Sequence, residues 1–184
     1  MRITAGAMRG RVIRVPNVPG LRPTPSKVRQ AMFNILDPVD GFHMLDLYAG
    51  SGIMALEALS RGAASAISIE QDRRAVKALQ QSREKLGLSQ QTWRITAASV
   101  ERALSVLAGE SFDLISADPP YARGFSEALP TLLTQHDIRC EQLVIEESSR
   151  IQPNWPDGWL CQQSRRYGDT CLHFLISAPK PGNS

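Results

Sequence analysis

The sequence predicts a doubly wound α/β fold, in which a mostly parallel seven-stranded sheet carries helices on both faces and ends in an antiparallel hairpin. Two observations support this prediction. From His43 onward, apolar strand patterns alternate with amphipathic helix patterns, and such alternation is typical of parallel strands joined by helical crossovers. Near the end of the chain, two strand patterns flank Gly168-Asp169, a dipeptide typical of tight turns between antiparallel strands.

The elements of this α/β domain, residues 38–184, follow from the spacing of apolar residues and from the glycines that end several of them. Strands are predicted over residues 43–47, 66–69, 92–96, 112–117, 143–146, 160–167 and 171–177. Helices are predicted over residues 53–61, 72–86, 100–107 and 125–134.

Residues 1–37 are predicted to form an extension that precedes the α/β domain. Short strand patterns over residues 2–5 and 11–15 indicate a hairpin. Thr24-Pro25 is typical of a helix start, with Thr24 as the N-cap and Pro25 in the first helical position. The helix ends at Asp37-Pro38, and its apolar face consists of Val28, Ala31, Met32, Ile35 and Leu36.

This extension is strongly basic. The chain has a formal net charge of +3, but residues 1–36 contain seven basic and no acidic side chains, so the remainder carries −4, the difference between +3 and +7. Clustered arginines suit phosphate groups, because the guanidinium presents a fork of hydrogen-bond donors. A solvated tail is the alternative, but the charge favours a nucleic-acid contact. The candidate contacts are Arg9, Arg11, Arg22, Thr24, Lys27 and Arg29.

Composition and residue spacing argue against a membrane-spanning protein and against a metal-binding protein. With 42% hydrophobic and 21% charged residues, the chain is typical of a globular protein, and no apolar run is long enough to cross a bilayer. Neither the three histidines nor the three cysteines form a metal-ligand pattern. We therefore expect a cytoplasmic protein with no metal and no membrane contact, and we expect it to be a monomer.

A glycine-rich turn follows the first predicted strand, at the position where doubly wound sheets bind ligands. Gly50, Gly52 and Ala55 satisfy the dinucleotide-binding pattern, so a nicotinamide cofactor remains one alternative. The candidate cofactor-binding residues of this turn are Asp46, Tyr48, Ala49, Gly50, Ser51 and Gly52.

Acidic residues at the ends of the first two strands narrow the choice of ligand. Glu70, followed by Gln71, closes the second strand, where a carboxylate can accept hydrogen bonds from both ribose hydroxyls of an adenosine. Asp46 could pair with the amino group of S-adenosyl-L-methionine, whereas a nicotinamide cofactor has no such group. A solvated strand end for Glu70 and a buried structural role for Asp46 are the alternatives. The pair favours S-adenosyl-L-methionine.

Asp118-Pro119-Pro120-Tyr121 follows the fourth predicted strand, beside the expected cofactor cleft. The two prolines restrict the backbone, so the segment presents a fixed carboxylate, carbonyl groups and an aromatic ring. An exocyclic base amine is a poor nucleophile, because its lone pair is delocalised. The Asp118 carboxylate and the Pro119 carbonyl could accept its two N–H groups and align the lone pair, while Tyr121 stacks on the base. A surface turn is the alternative.

The sequence resembles the RsmD family of class I methyltransferases over nearly its whole length. The resemblance is carried by Arg9-Gly10-Arg11, the Leu-Arg-Pro-Thr element at residues 21–24, the segments 45–52 and 56–63, the Asp-Pro-Pro-Tyr segment, and Tyr167-Gly168-Asp169-Thr170. It implies a Rossmann-like fold and methylation of a guanine N2 amine in 16S ribosomal RNA, within the small subunit or its assembly intermediate.

The chain departs from the pattern of such enzymes after the third strand. They often place Asp or Asn there to bind the adenine of the cofactor, whereas this sequence has Ala97-Ala98-Ser99. Ala98 and Ser99 are therefore the candidates for that contact, through a backbone group or the hydroxyl. Three other functions stay open on the residues alone: an adenine-N6 methyltransferase acting on DNA or RNA, a nicotinamide oxidoreductase and a non-catalytic RNA-binding module.

Overall fold

The computed structural model describes residues 1–16, 18, 24–120 and 124–178, which belong to two compact units, Met1–Ala103 and Leu104–Ser184. Within these residues there are five helices and seven strands, and the strands form a mixed sheet. None of the helices in the described part of the chain has the length and hydropathy needed to span a membrane.

The first unit contains three parallel strands in the order β3-β2-β1. Leu47 pairs with Ile69, and Glu70 pairs with Ala97, so the three strands end at the same edge. The elements are α1 (Ser26–Leu36), β1 (His43–Leu47), α2 (Ile53–Ser60), β2 (Ser65–Glu70), α3 (Arg73–Leu86), β3 (Trp93–Ala97) and the start of α4 (Val100–Val106).

The second unit contains four strands in the order β4-β5-β7-β6. β4 and β5 are parallel, whereas β7 runs antiparallel to both β5 and β6. Ala117 pairs with Ile145 and Ser148 pairs with Thr170, so β4 and β5 end at the same edge as the β6–β7 turn. The elements are β4 (Ser111–Ala117), α5 (Phe125–Gln135), β5 (Arg139–Ser148), β6 (Trp159–Tyr167) and β7 (Thr170–Ser177).

The predicted fold class is confirmed, and most elements begin and end within two residues of their predicted bounds. β5 is the exception, because it starts at Arg139 rather than at residue 143. Its first four residues alternate between exposed and half-buried and carry no apolar run that sequence patterns could detect. Pairing of Ser111 with Arg139 and of Phe112 with Cys140 makes this stretch a strand.

One prediction for the N-terminal extension holds only in part, and another is wrong. The predicted hairpin is reduced to an isolated antiparallel bridge between Arg2 and Val12, flanked by hydrogen bonds from Ile3 N–H to Arg11 O at 3.1 Å and from Ile13 N–H to Met1 O at 2.9 Å. The segment also bonds to the end of α2, where Ala7 N–H donates to Ser60 O at 2.7 Å. Thr24 is not the N-cap of α1. The helix starts at Ser26 with Pro25 in the cap position and no capping side chain, while Thr24 is buried.

Glu57 of α2 joins three separate segments of the first unit. It is fully buried, and its carboxylate accepts hydrogen bonds from Thr4 N–H at 2.9 Å and Thr4 Oγ1 at 2.8 Å. The same carboxylate pairs with Arg29 Nε at 3.2 Å and with Arg61 Nη2 at 3.4 Å. The N-terminal segment and α1 are therefore fastened to α2, and the boundary expected at residue 37 does not coincide with a boundary between the two units.

Arg29, which is predicted to contact RNA, belongs to the same buried network. Its side chain is 2% exposed, and besides Glu57 it donates from Nη1 to Thr24 O at 2.5 Å and from Nη2 to Arg2 O at 2.9 Å. These bonds use three of the five N–H donors of the guanidinium and hold the side chain inside the unit. A contact of Arg29 with RNA stays a prediction.

Replacing Glu57 by Gln should destabilise the protein strongly, because the buried Arg29 and the half-buried Arg61 would keep their charges without a counter-charge. We expect the free energy of unfolding in urea to fall by about 3–5 kcal/mol. Arg139→Gln is the control, since Arg139 and Asp137 form an ion pair at 3.1 Å whose side chains are 67% and 72% exposed. That change should cost less than about 1 kcal/mol, and equal losses of stability would contradict the role assigned to Glu57.

Candidate active site

The glycine-rich turn after β1 is held against the end of β2. Its backbone reverses at Tyr48, whose φ of 58° lies in the left-handed region that residues other than glycine rarely adopt. Ala49 N–H donates to Ile69 O at 3.0 Å, and Gly52 N–H donates to Ala49 O at 2.7 Å. The turn therefore lies at the carboxyl edge of the parallel strands, where this class of fold binds its ligands.

Glu70 connects the turns that follow β1 and β2. Its Oε2 accepts a hydrogen bond from Gly50 N–H at 2.8 Å, and its Oε1 accepts one from Asp72 N–H at 2.7 Å. A carboxylate oxygen has room for a second donor, so both oxygens can still accept a ribose hydroxyl. The half-buried Glu70 thus fits an adenosine and also fixes the shape of the turn, whereas the neighbouring Gln71 is exposed.

Asp46 belongs to a buried polar chain that crosses the three strands of the first unit. Trp93 Nε1–H donates to Ser68 Oγ at 2.9 Å, and Ser68 Oγ–H donates to Asp46 Oδ2 at 3.4 Å. Asp46 is 2% exposed, and a buried carboxylate needs such compensation. Sequence reasoning missed Ser68 and Trp93, although a serine within the apolar strand pattern of residues 66–69 was a detectable signal.

Gly52 is required by packing as well as by its backbone conformation. Its φ is 71°, and a Cβ at this position would lie 2.3 Å from Leu79 Cδ2 and 2.6 Å from the ring of Trp93. The residue sits at the N-cap of α2, and no side chain caps that helix. The first backbone N–H groups of α2 are therefore suited to an anionic part of a ligand. Ser51, just before it, is buried.

The residues that follow β3 are hydrogen-bonded to the end of β2. Ala98 N–H donates to Glu70 O at 3.1 Å, which aligns the end of β3 with the end of β2. Ser99 Oγ accepts a hydrogen bond from Arg102 N–H at 3.4 Å and so supports the start of α4. Ala98 and Ser99 thus have structural roles, and their contact with a cofactor adenine stays a prediction.

Asp118 directly follows β4 in the second unit and is half-buried, with Pro119 buried and Pro120 exposed. The pairing of Ala117 with Ile145 places it beside the end of β5. Tyr121, predicted to stack on a base, lies outside the described residues.

Elsewhere in the described ranges, no three side chains of His, Cys, Asp and Glu come together in a way that could hold a metal ion.

The predicted RNA contacts separate into exposed and buried residues. Arg9, Arg11 and Lys27 are exposed, Thr24 and Arg29 are buried, and Arg22 lies outside the described residues. A cleft of about 530 Å³ opens between the N-terminal segment and the start of α1. Arg2, Arg9 and Ser26 are among its lining residues, with Thr24 and Arg29.

The fold and the glycine-rich turn define a Rossmann-like class I methyltransferase. A family model described as Conserved hypothetical protein 95 matches residues 1–176. The chain is 36% identical to ribosomal RNA small subunit methyltransferase D of Escherichia coli K12 over 180 residues, which cover 95% of this chain and 88% of that protein. The chain belongs to this family, the RsmD family.

Two solved structures have the same fold. The Escherichia coli protein yhhF superposes with a TM-score of 0.85 and 31% identity, covering 98% of this chain and 99% of that one. An RNA methyltransferase from Salinibacter ruber, solved in complex with S-adenosyl-L-homocysteine, superposes with a TM-score of 0.67 and 17% identity over 88% of this chain and 98% of that one.

Tyr48 should make the stability of the protein fall at high pH. Burial, and secondarily the charge of Glu101, raise the pKa of Tyr48 from 10.0 to about 12. Between these two values the unfolded chain loses a proton that the folded chain keeps, so unfolding becomes more favourable as the pH rises. Tyr48→Phe should remove this loss of stability at high pH. Glu101→Gln should lower the pKa of Tyr48 in the folded protein and so narrow the pH range over which the loss occurs. Urea unfolding at increasing pH measures both, and an identical pH dependence in wild type and Tyr48→Phe would contradict the assignment.

Proposed function

We propose that this protein transfers a methyl group from S-adenosyl-L-methionine to the exocyclic N2 amine of a guanine in 16S ribosomal RNA. The observation that carries the proposal is the half-buried Asp118 at the carboxyl end of β4, followed by two prolines, in a chain of the RsmD family. The Escherichia coli relative is named for methylation of small-subunit ribosomal RNA, which supports the same class of substrate here.

The first unit offers suitable groups for each part of S-adenosyl-L-methionine. Glu70 suits the ribose hydroxyls, and the carboxyl group of the buried Asp46 suits the amino group of the methionine part. The N-terminus of α2 at Gly52, which no side chain caps, suits the carboxylate. When bound, the cofactor supplies an electrophilic methyl group on a positively charged sulfur.

In the second unit, Asp118 and the Pro119 carbonyl would accept the two N–H groups of the target amine. These hydrogen bonds turn the nitrogen lone pair out of conjugation with the ring and toward the methyl group. The carboxylate also stabilises the positive charge that develops on nitrogen during transfer. Because the two prolines restrict the backbone, this arrangement needs little reorganisation when the base binds.

The exposed basic residues of the N-terminal segment would bind the RNA backbone. Arg9 borders the cleft of about 530 Å³, which is open enough to admit a phosphate group. The bonds of Glu57 and Ser60 to this segment hold it to α2, so its arginines are presented in a fixed arrangement. Binding to a preformed surface loses less conformational entropy than binding to a flexible tail.

Methylation of an adenine N6 amine is the second candidate. Asp118 and the Pro119 carbonyl could accept hydrogen bonds from either amine, so the same segment supports both reactions. Guanine is favoured by membership of the RsmD family, and analysis of the methylated nucleoside distinguishes the two.

Asp118→Ala should abolish most of the methyl transfer while leaving RNA binding nearly unchanged. We expect kcat to fall by about 100-fold or more, with the KM for RNA little altered, in transfer of labelled methyl to small ribosomal subunits and to their naked RNA. Asp157→Ala is the control, since Asp157 is exposed in the same unit. Nucleoside analysis should find N2-methylguanosine, and N6-methyladenosine in its place would contradict the proposed base.

Glu70→Gln should weaken cofactor binding, because the amide keeps the shape of the carboxylate but loses its charge and one acceptor. Calorimetry should give an affinity for S-adenosyl-L-homocysteine about 10-fold lower than that of the wild type. Glu84→Gln, an exposed change at the end of α3, should bind like the wild type. Comparable binding of NADH by the wild type would instead support a nicotinamide oxidoreductase.

A further inference from the structure

Three arginines lie together at one edge of the second unit. Arg165 and Arg166 are the last basic residues of β6, and Arg150 follows the end of β5. All three side chains are exposed. We call this group the arginine tip. Because neighbouring residues of a strand project from opposite faces, Arg165 and Arg166 carry charge on both sides of the sheet.

The turn that carries the arginine tip is fixed to β5. Ser149 N–H donates to Asp169 O at 2.8 Å, and Ser149 Oγ–H donates to Gly168 O at 2.9 Å. Arg166 Nε–H donates to the same Gly168 carbonyl at 3.1 Å, which orients its guanidinium while its two terminal nitrogens keep their donors. The tip is therefore a preformed basic surface.

Neighbouring acids compensate little of this charge at the surface. Arg150 and Asp169 are 3.8 Å apart with side chains 82% and 89% exposed, and such a pair is weak in water. Glu147 is 1% exposed, and its carboxylate accepts hydrogen bonds from Ser126 Oγ at 2.8 Å and Ser148 N–H at 2.7 Å. Glu147 thus supports the interior of the unit, and the exposed edge is basic.

The arginine tip and Asp118 lie at the same edge of the second unit. Ala117 pairs with Ile145 in β5, Ser148 of β5 pairs with Thr170, and Thr170 pairs with Tyr167 of β6. Three strand spacings separate β4 from β6, a distance of about 14 Å. A nucleic-acid strand whose target base reaches Asp118 could therefore place its neighbouring phosphates at the tip.

We propose that the arginine tip binds the phosphates that flank the methylated nucleotide, as a second RNA contact distinct from the N-terminal segment. This inference rests on the proposed RNA substrate. All three cations are arginines, whose guanidinium binds phosphate through two parallel hydrogen bonds. The tip is bound to the strand next to Asp118, so its contacts position the RNA strand relative to that carboxylate.

The double variant Arg165→Gln, Arg166→Gln tests the proposal. Removing one arginine–phosphate bond should reduce the slope of log K against log salt by about 0.7–0.9, so we expect a reduction of about 1.5 for binding to small-subunit RNA. The KM for RNA should rise by about 10-fold at constant salt, with kcat unchanged. The double variant Arg165→Lys, Arg166→Lys should retain the wild-type salt slope, because it retains both positive charges.

Arg139→Gln is the matched control. Arg139 is exposed in the same unit, but it lies at the opposite end of β5 from Ser148, about 30 Å away along the strand. It should leave both the salt slope and the KM unchanged. All variants alter exposed side chains, so thermal unfolding should give the wild-type Tm.

A wild-type salt slope in the double variant would overturn the inference, and so would an equal reduction of the slope in Arg139→Gln. A normal slope on naked RNA together with reduced activity on assembled subunits would assign the tip to a ribosomal protein, which also overturns it. Absence of methyl transfer to RNA by the wild type would instead reject the proposed function, so the two failures are distinguishable.

Discussion

The fully buried carboxylate of Glu57 determines how the first unit is built. It accepts hydrogen bonds from Thr4 and pairs with Arg29 and Arg61, so it joins the N-terminal segment, α1 and α2 at one point. A buried charge is tolerated only when its acceptor positions are filled. The N-terminal segment has backbone hydrogen bonds of its own, such as Ile3 N–H to Arg11 O, and the bonds to Glu57 hold it to the unit. The exposed Arg9 and Arg11 consequently lie on a fixed surface.

Glu70 has a comparable role at the ligand-binding edge. It holds Gly50 on one side and Asp72 on the other, so two turns that no strand pairing constrains are joined by one side chain. Its oxygens nevertheless retain acceptor positions for a ligand. The turn is thus preorganised before any cofactor binds, which lowers the entropy lost on binding. The packing of Leu79 and Trp93 around Gly52 restricts the same turn from the opposite direction.

Sequence patterns predicted the parts of the molecule that depend on local periodicity. β1 begins and ends at its predicted residues, and the glycine-rich turn lies where the alternation of strand and helix puts it. The patterns failed where contacts between residues distant in the sequence determine the environment of a side chain. Arg29 belongs to a run of basic residues, and only the fold reveals that Glu57, 28 positions later, withdraws it from the surface. The Trp93–Ser68–Asp46 chain was missed because its three members lie on different strands.

Charge alone is therefore a poor guide to which arginines can bind RNA. Hydrogen-bond acceptors alone are likewise a poor guide to which base is methylated. Asp118 and the Pro119 carbonyl accept hydrogen bonds, and the exocyclic amines of guanine and adenine both donate them. Under the proposed function, these two groups would orient a nitrogen without identifying the ring that carries it. Phosphate contacts contain no base information, but they read the shape of a folded RNA strand and fix its register. Under the proposed function, the arginine tip at the same edge of the second unit helps to decide which nucleotide reaches Asp118, and the carboxylate then needs only to align its amine.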